Sequence, residues 1–162
     1  MNKAYLLLGS NLGSRENEVQ LATAQIKRNI GKIISSSSLY NTAAWGKQDQ
    51  NDFLNQVICV ETDLSAEKLL EEILSIEKKL GRTREKKWEA RIIDIDILFF
   101  NSQIFKLPNL QIPHPHLHER RFALVPLAEI APGFMHPVLK KTVAQLLNEC
   151  PDSLAVSEYK SK

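Results

Sequence analysis

The chain is short of the features that define several protein classes. It has only two cysteines, Cys59 and Cys150, far apart and without CxxC spacing. That argues against a disulfide scaffold or a cysteine-built zinc site and leaves two buried thiols as the plainer reading. No stretch approaches the roughly 20 apolar residues that a membrane-spanning helix needs. The N-terminus reads as a strand, without the basic start, apolar run and cleavage site of a secretory signal, so the cytoplasm is the expected location. Charge nearly cancels: 21 Lys and Arg against 19 Asp and Glu leave +2, too little to argue for general binding to nucleic acid or membrane. The P-loop order GxxxxGK(S/T) is missing, as are internal repeats, linkers and low-complexity tracts. What remains is 162 residues, 43% hydrophobic and 25% charged, the composition of one globular domain spanning 1–162.

Periodicity divides the chain into alternating elements. Lys3 to Leu8 is a mostly apolar run that stops at Gly9, as a largely buried strand would. Ser14 can cap a following helix, Glu16 and Glu18 suit its positive end, and Val19, Ala22, Ile26 and Ile30 share one face before Gly31 ends it. Lys32 to Tyr40 reads as a second strand and Phe53 to Thr62 as a third, with a long loop from Asn41 to Asp52 between them. Ser65 opens a second helix whose Leu69, Leu70, Ile73, Ile76 and Leu80 face inward until Gly81. Ile92 to Phe100 is the strongest strand signal, and helices follow near Phe122 to Ile130 and Thr142 to Asn148. The resulting order, βαββαβ, predicts an α+β fold of the ferredoxin-like plan, a mainly antiparallel sheet flanked by helices. The tail from Pro151 to Lys162 is polar and is expected to be disordered.

Chemistry concentrates at one junction. Asp94 and Asp96 lie two apart on a strand and so project from the same face, with Cα atoms about 6.5 to 7 Å apart. Both sit among isoleucines, where paired carboxylates are costly unless they share a cation or keep protons. A divalent ion held by oxygen ligands, magnesium before zinc, would resolve the conflict; a solvated strand face with basic partners is the alternative. Just upstream, Arg82, Arg84, Lys86, Lys87 and Arg91 crowd into one segment. Guanidinium forks match phosphate oxygens, although a charged run more often simply faces water. It is the junction with the two aspartates that points to a bound nucleotide.

Other candidates are less specific. His114, His116 and His118 alternate between prolines, which admits a metal tract, a phosphate contact through His114, or structural roles. Trp45 in the long loop, with Phe53 and Asn55 beyond it, could stack on and hydrogen-bond a flat ligand, although packing is the commoner use of such residues. Gly9 to Gly13 joins a strand to a helix, the arrangement that can receive an anion at a helix N-terminus, or only a tight turn.

Taken in order, the segments YLLLGSNLGSRE, NTAAWGKQDQNDFLN, GRTR, WEARIIDIDILFF and IPHPHLHERRFALVPLAEIAP resemble the 6-hydroxymethyl-7,8-dihydropterin pyrophosphokinases from Ala4 to about Leu147. The resemblance implies a three-layer fold and a monomer that moves pyrophosphate from ATP to a pterin alcohol in folate biosynthesis. It also implies two Mg2+ ions between Asp94, Asp96 and the ATP phosphates, with Arg82 and Arg91 joining them in catalysis. ATP contacts carry over to Glu77, Arg82, Arg84, Arg91, His114 and Arg120. The pterin pocket carries over to Gly9, Ser10, Asn11, Thr42, Trp45, Phe53, Asn55, Trp88 and Phe122. The chain departs from the family pattern at Ala43 and Ala44, where prolines are usual, at Glu89 for a glycine, and at His116 for an arginine. A metal-dependent phosphatase or nuclease, or a ferredoxin-like nucleic-acid-binding module, is the competing expectation.

Overall fold

The computed structural model describes residues 1–10, 15–42, 52–81 and 93–160. Strand β1 (Asn2–Ser10) leads into helix α1 (Arg15–Asn29), followed by β2 (Lys32–Ser36), β3 (Tyr40–Thr42), β4 (Phe53–Thr62) and α2 (Ala66–Lys79). Strand β5 (Asp94–Phe100) precedes a small hairpin, β6 (Phe105–Leu107) and β7 (Leu110–Ile112). A 3-10 turn at Leu117–Glu119, helix α3 (Arg121–Ile130), helix α4 (Val143–Glu149) and strand β8 (Val156–Glu158) complete it.

The main sheet runs β5-β1-β4-β3-β8, with β2 also on β4, and its pairings are antiparallel. In the four-strand count of the sequence, this places the fourth strand beside the first, then the third, then the second. The expected second strand is divided. The strand is interrupted between Ser36 and Tyr40, yet Ser37 N donates to Val57 O at 2.8 Å and Val57 N donates to Ser37 Oγ at 3.0 Å. The serine hydroxyl replaces a ladder acceptor, so β2 and β3 behave as two halves of one strand along β4.

Alternation on the strands builds two cores. Leu6, Leu8, Ile58, Val60, Ile95 and Ile97 pack with Val19, Ala22 and Ile26 of α1 and Leu69, Ile73 and Ile76 of α2. Leu7, Val57, Leu98 and Phe99 pack on the opposite face with Leu124 and Leu127 of α3 and Val143 and Leu146 of α4. The sheet is therefore the middle of three layers. Ser65 caps α2 by accepting from Lys68 N, and Thr142 with Gln145 forms a reciprocal capping box on α4.

Two glycines stop helices for different reasons. Gly81 has φ 88°, the left-handed conformation expected just past the end of α2. At Gly31, by contrast, a Cβ would lie 1.9 Å from the Glu61 carbonyl oxygen. The expected helix stop there is a close approach of the α1 exit to β4, which only a missing side chain permits. The tail is a second departure from expectation: residues 156–158 pair with β3, and Tyr159 N donates to Leu39 O at 2.8 Å. Its hydrogen bonds come from an edge strand that its own sequence does not announce. Among the described residues, no helix is long and apolar enough to cross a membrane.

Candidate active site

The face of the sheet that carries α3 and α4 is only partly covered by them. Beyond that cover, pairing aligns Tyr40, Asn55, Gly9 and Asp94 across four strands, and sets Val57, Leu7 and Asp96 in the next row. These rows floor a cavity of about 430 Å³ lined by Leu7, Gly9, Thr42, Phe53, Asn55, Asp94, Asp96, His116, Glu119, Arg120, Phe122 and Asp152. Strand alternation thus delivers the aspartates, and the turn before α3 with that helix's first residues supplies the rim.

One side of the cavity is neutral and polar. Asn55 and Thr42 are 3% and 2% exposed, and Asn55 Nδ2 donates to Thr42 Oγ1 at 3.1 Å. The Asn55 carboxamide lies over Gly9, where a Cβ would come within 2.7 Å of Asn55 Oδ1. Glycine is required here by proximity, not by a turn. Phe53 and Phe122 add aromatic walls. Arg15 links Asn41 to Asp52, its Nη1 donating to Asn41 Oδ1 at 3.1 Å and to Asp52 O at 2.6 Å.

The other side holds the carboxylates. Asp94 and Asp96 are half-buried and line the cavity together, while Ile93, Ile95 and Ile97 are buried. The expectation that the pair sits among isoleucines is corrected by the pleat: Ile95 and Ile97 pack in the helix-covered core on the opposite face. Glu77, 4% exposed on α2, accepts from Ile95 N at 2.8 Å. It thereby fastens the backbone between the two aspartates and does not line the cavity.

Two carboxylates facing one cavity offer hard oxygen donors suited to magnesium. Among the described residues no third carboxylate, histidine or cysteine joins them in a ligand group. Such a pair fits an ion whose remaining positions are filled by phosphate oxygens and water. Arg120 lines the same cavity, with its guanidinium 5.7 Å from the centre of the Phe122 ring.

The histidines divide. His116 lines the main cavity, with Nδ1 3.7 Å from Glu119. His114 lines a neighbouring cavity of about 330 Å³ with His118 and His136. Burial first, then the charges of Arg120 and His116, lowers His114 from 6.5 to about 4, so it is neutral near pH 7. Its Nδ1 accepts from His116 N at 3.2 Å, which leaves Nε2 as the protonated nitrogen.

Of the residues expected from sequence, the cavity gathers Gly9, Thr42, Phe53, Asn55, Asp94, Asp96, Arg120 and Phe122. Glu77, His114 and Ser10 stand outside its lining. Ser10 Oγ is fully buried without a hydrogen-bond partner among the described residues, one residue beyond Gly9 and so on the opposite side of β1. Asn11, Trp45, Arg82, Arg84, Trp88 and Arg91 lie outside the described residues. Sequence reasoning missed Leu7, Glu119 and Asp152. Leu7 was accessible through its two-residue spacing from Gly9, whereas nothing in the tail's sequence marks Asp152.

Comparison with known proteins bears on this geometry. The profile of the 7,8-dihydro-6-hydroxymethylpterin-pyrophosphokinase family matches residues 5–132. A 2-amino-4-hydroxy-6-hydroxymethyldihydropteridine pyrophosphokinase of Methylorubrum extorquens is 43% identical over 136 residues, 83% of this chain and 86% of that protein. The enzyme of the same name from Aquifex aeolicus is 37% identical over 149 residues, 92% of each chain. Among solved structures, a Plasmodium falciparum HPPK-DHPS chain superposes with a TM-score of 0.74 at 20% identity, which bears on the fold alone. That match covers 91% of this chain but only 45% of the Plasmodium one, so the present chain spans under half of its length. By the profile over most of its length and by relatives above one-third identity, the chain belongs to the 6-hydroxymethyl-7,8-dihydropterin pyrophosphokinase family.

Proposed function

We propose that the cavity over β1, β4 and β5 is where this chain transfers pyrophosphate from ATP to the hydroxymethyl group of 6-hydroxymethyl-7,8-dihydropterin, a step of folate biosynthesis. Family membership supports the reaction. The observation that carries the location is the row Asn55–Gly9–Asp94, which joins a buried amide to a carboxylate pair within one cavity. An amide supplies both donor and acceptor for the edge of a heterocycle, and Phe53 and Phe122 supply flat apolar contact for its ring.

At the other end, Asp94 and Asp96 would hold two Mg2+ ions shared with the ATP phosphates. Magnesium there would neutralise charge on the triphosphate and fix its orientation. Arg120 meets the phosphates from the rim, and Arg82, Arg84 and Arg91 belong to the segment that leads into β5. The alcohol oxygen attacks the β-phosphorus, the bond from that phosphorus to the bridging oxygen of the α-phosphate breaks, and AMP leaves with that oxygen. The alcohol proton passes to Asp96. Positioning and electrostatics carry most of the acceleration, since no protein nucleophile takes part. The reading includes a cytoplasmic monomer that does not act on nucleic acid.

The nucleotide product tests it. AMP should form only when both ATP and the pterin alcohol are present. ADP or inorganic phosphate as the product would refute the reading in favour of an ordinary kinase or a hydrolase.

A further inference from the structure

Helix α3 begins without a cap of its own: Arg120 occupies the N-cap position and makes no side-chain capping hydrogen bond, and the first turn contains no acidic residue. The missing acceptor comes from far along the chain. Asp152 Oδ2 accepts from Arg121 N at 3.1 Å, while its Oδ1 accepts from Leu154 N at 2.9 Å. A carboxylate there satisfies an orphan donor and opposes the positive end of the helix. The start of α3 is also where Arg120 and Phe122 enter the cavity, whose lining includes Asp152 itself.

The same segment then reaches the opposite wall. Strand β8 pairs with β3 in the register Thr42–Val156, and the Tyr159 ring lies 6.0 Å from the guanidinium carbon of Arg15. Arg15 in turn holds Asn41 and the Asp52 carbonyl, beside Thr42 and Phe53. From α3 across to β3, Glu129 adds a cross-tie, accepting from Ser38 N at 3.0 and 3.1 Å and from the Tyr40 hydroxyl.

We propose that the C-terminal segment from Asp152 to Tyr159 is a strap that sets the spacing of the two acceptor-binding walls, with Asp152 as a positioning residue for Phe122. This rests on the reading that the cavity holds the pterin alcohol. Without the Asp152 carboxylate the first turn of α3 frays, and the acceptor must order Phe122 as it binds. Arg120 stays anchored by the preceding turn, where its N donates to Leu117 O at 3.1 Å, so ATP, met by Arg120 and gripped from the aspartate side, is spared.

Steady-state AMP formation with each substrate varied tests the strap on the whole 162-residue chain. Asp152→Ala should raise the acceptor KM roughly fivefold, the scale of a lost helix cap, and leave the ATP KM within about twofold, well inside one lost hydrogen bond. Asp152→Asn keeps one acceptor oxygen and should raise the acceptor KM by about twofold, a fraction of the full cap. It decides the matter if the alanine variant does not fold. A lower melting temperature with an unchanged acceptor KM, or equal rises in both KM values, overturns the proposal. Asn55→Ala serves as the control: if it too leaves the acceptor KM unchanged, the placement of the acceptor is at fault and not the strap alone.

Discussion

Adding one methyl group at Gly9 should damage the neutral half of the site. The new Cβ would stand 2.7 Å from Asn55 Oδ1 and 3.8 Å from a Phe53 ring carbon. Carbon and oxygen meet comfortably at roughly 3.3 Å or more, so something has to move. Gly9 is fixed between Asn55 on β4 and Asp94 on β5 by strand pairing. The amide of Asn55 must therefore rotate, and its bond to Thr42 Oγ1 at 3.1 Å is lost where both residues are almost wholly buried. A lost neutral hydrogen bond is worth about 1 kcal/mol, and a stranded buried polar group about 1 to 3 kcal/mol. Replacing a glycine gains back only about 0.4 to 1 kcal/mol from the unfolded chain, so the loss wins. Because the amide faces the acceptor in the proposed site, Gly9→Ala should raise the acceptor KM by about tenfold, corresponding to about 1.4 kcal/mol, with little change for ATP. The assay is AMP release with the pterin alcohol varied, beside a thermal melt. An unchanged acceptor KM in a variant that melts normally would refute the reasoning from Asn55 and Gly9 together.

Other perturbations separate the parts of the molecule. Asp96→Ala should keep the fold by circular dichroism yet lose magnesium-dependent AMP formation by roughly 100-fold or more, the scale of one preorganised electrostatic contact; a near-normal rate would remove Asp96 from the mechanism. Thr142→Ala breaks the capping box of α4, outside the cavity lining, and should cost about 1 kcal/mol, or about 2 to 4 °C in Tm, with kinetic constants preserved. His114 is held near pKa 4 in the fold against 6.5 otherwise, so the unfolded chain binds its proton first. Its contribution is complete above about pH 6.5 and falls as pH drops towards 4. Urea melts should show a shallower pH slope in that window for His114→Gln, with the remaining slope including His136, also lowered by burial; an identical slope would contradict the assignment.

Much of this fold is written locally. The apolar spacing of Val19, Ala22 and Ile26, the Ser65 and Thr142 caps, and the period-2 runs in β1, β4 and β5 each specify an element without help from distant residues. The same spacing puts Asp94 and Asp96 on one face, and Leu7 with Gly9 on the neighbouring strand. Where the elements lean on remote partners, the sequence is silent. The interruption at Ser37 depends on Val57, the need for Gly31 on the Glu61 carbonyl, and the strand at 156–158 on the open edge of β3.

By itself the sequence determined the βαββαβ order of the core, the two later helices and the type of chemistry, because side-chain periodicity and acid–base character are properties of neighbours along the chain. Which face the aspartates share, that Glu77 fastens their strand, and that Asp152 completes a helix begun thirty-one residues earlier were decided only in the tertiary structure. Those facts arise from strand register and from hydrogen-bond donors finding acceptors across space, and neither leaves a mark in local composition.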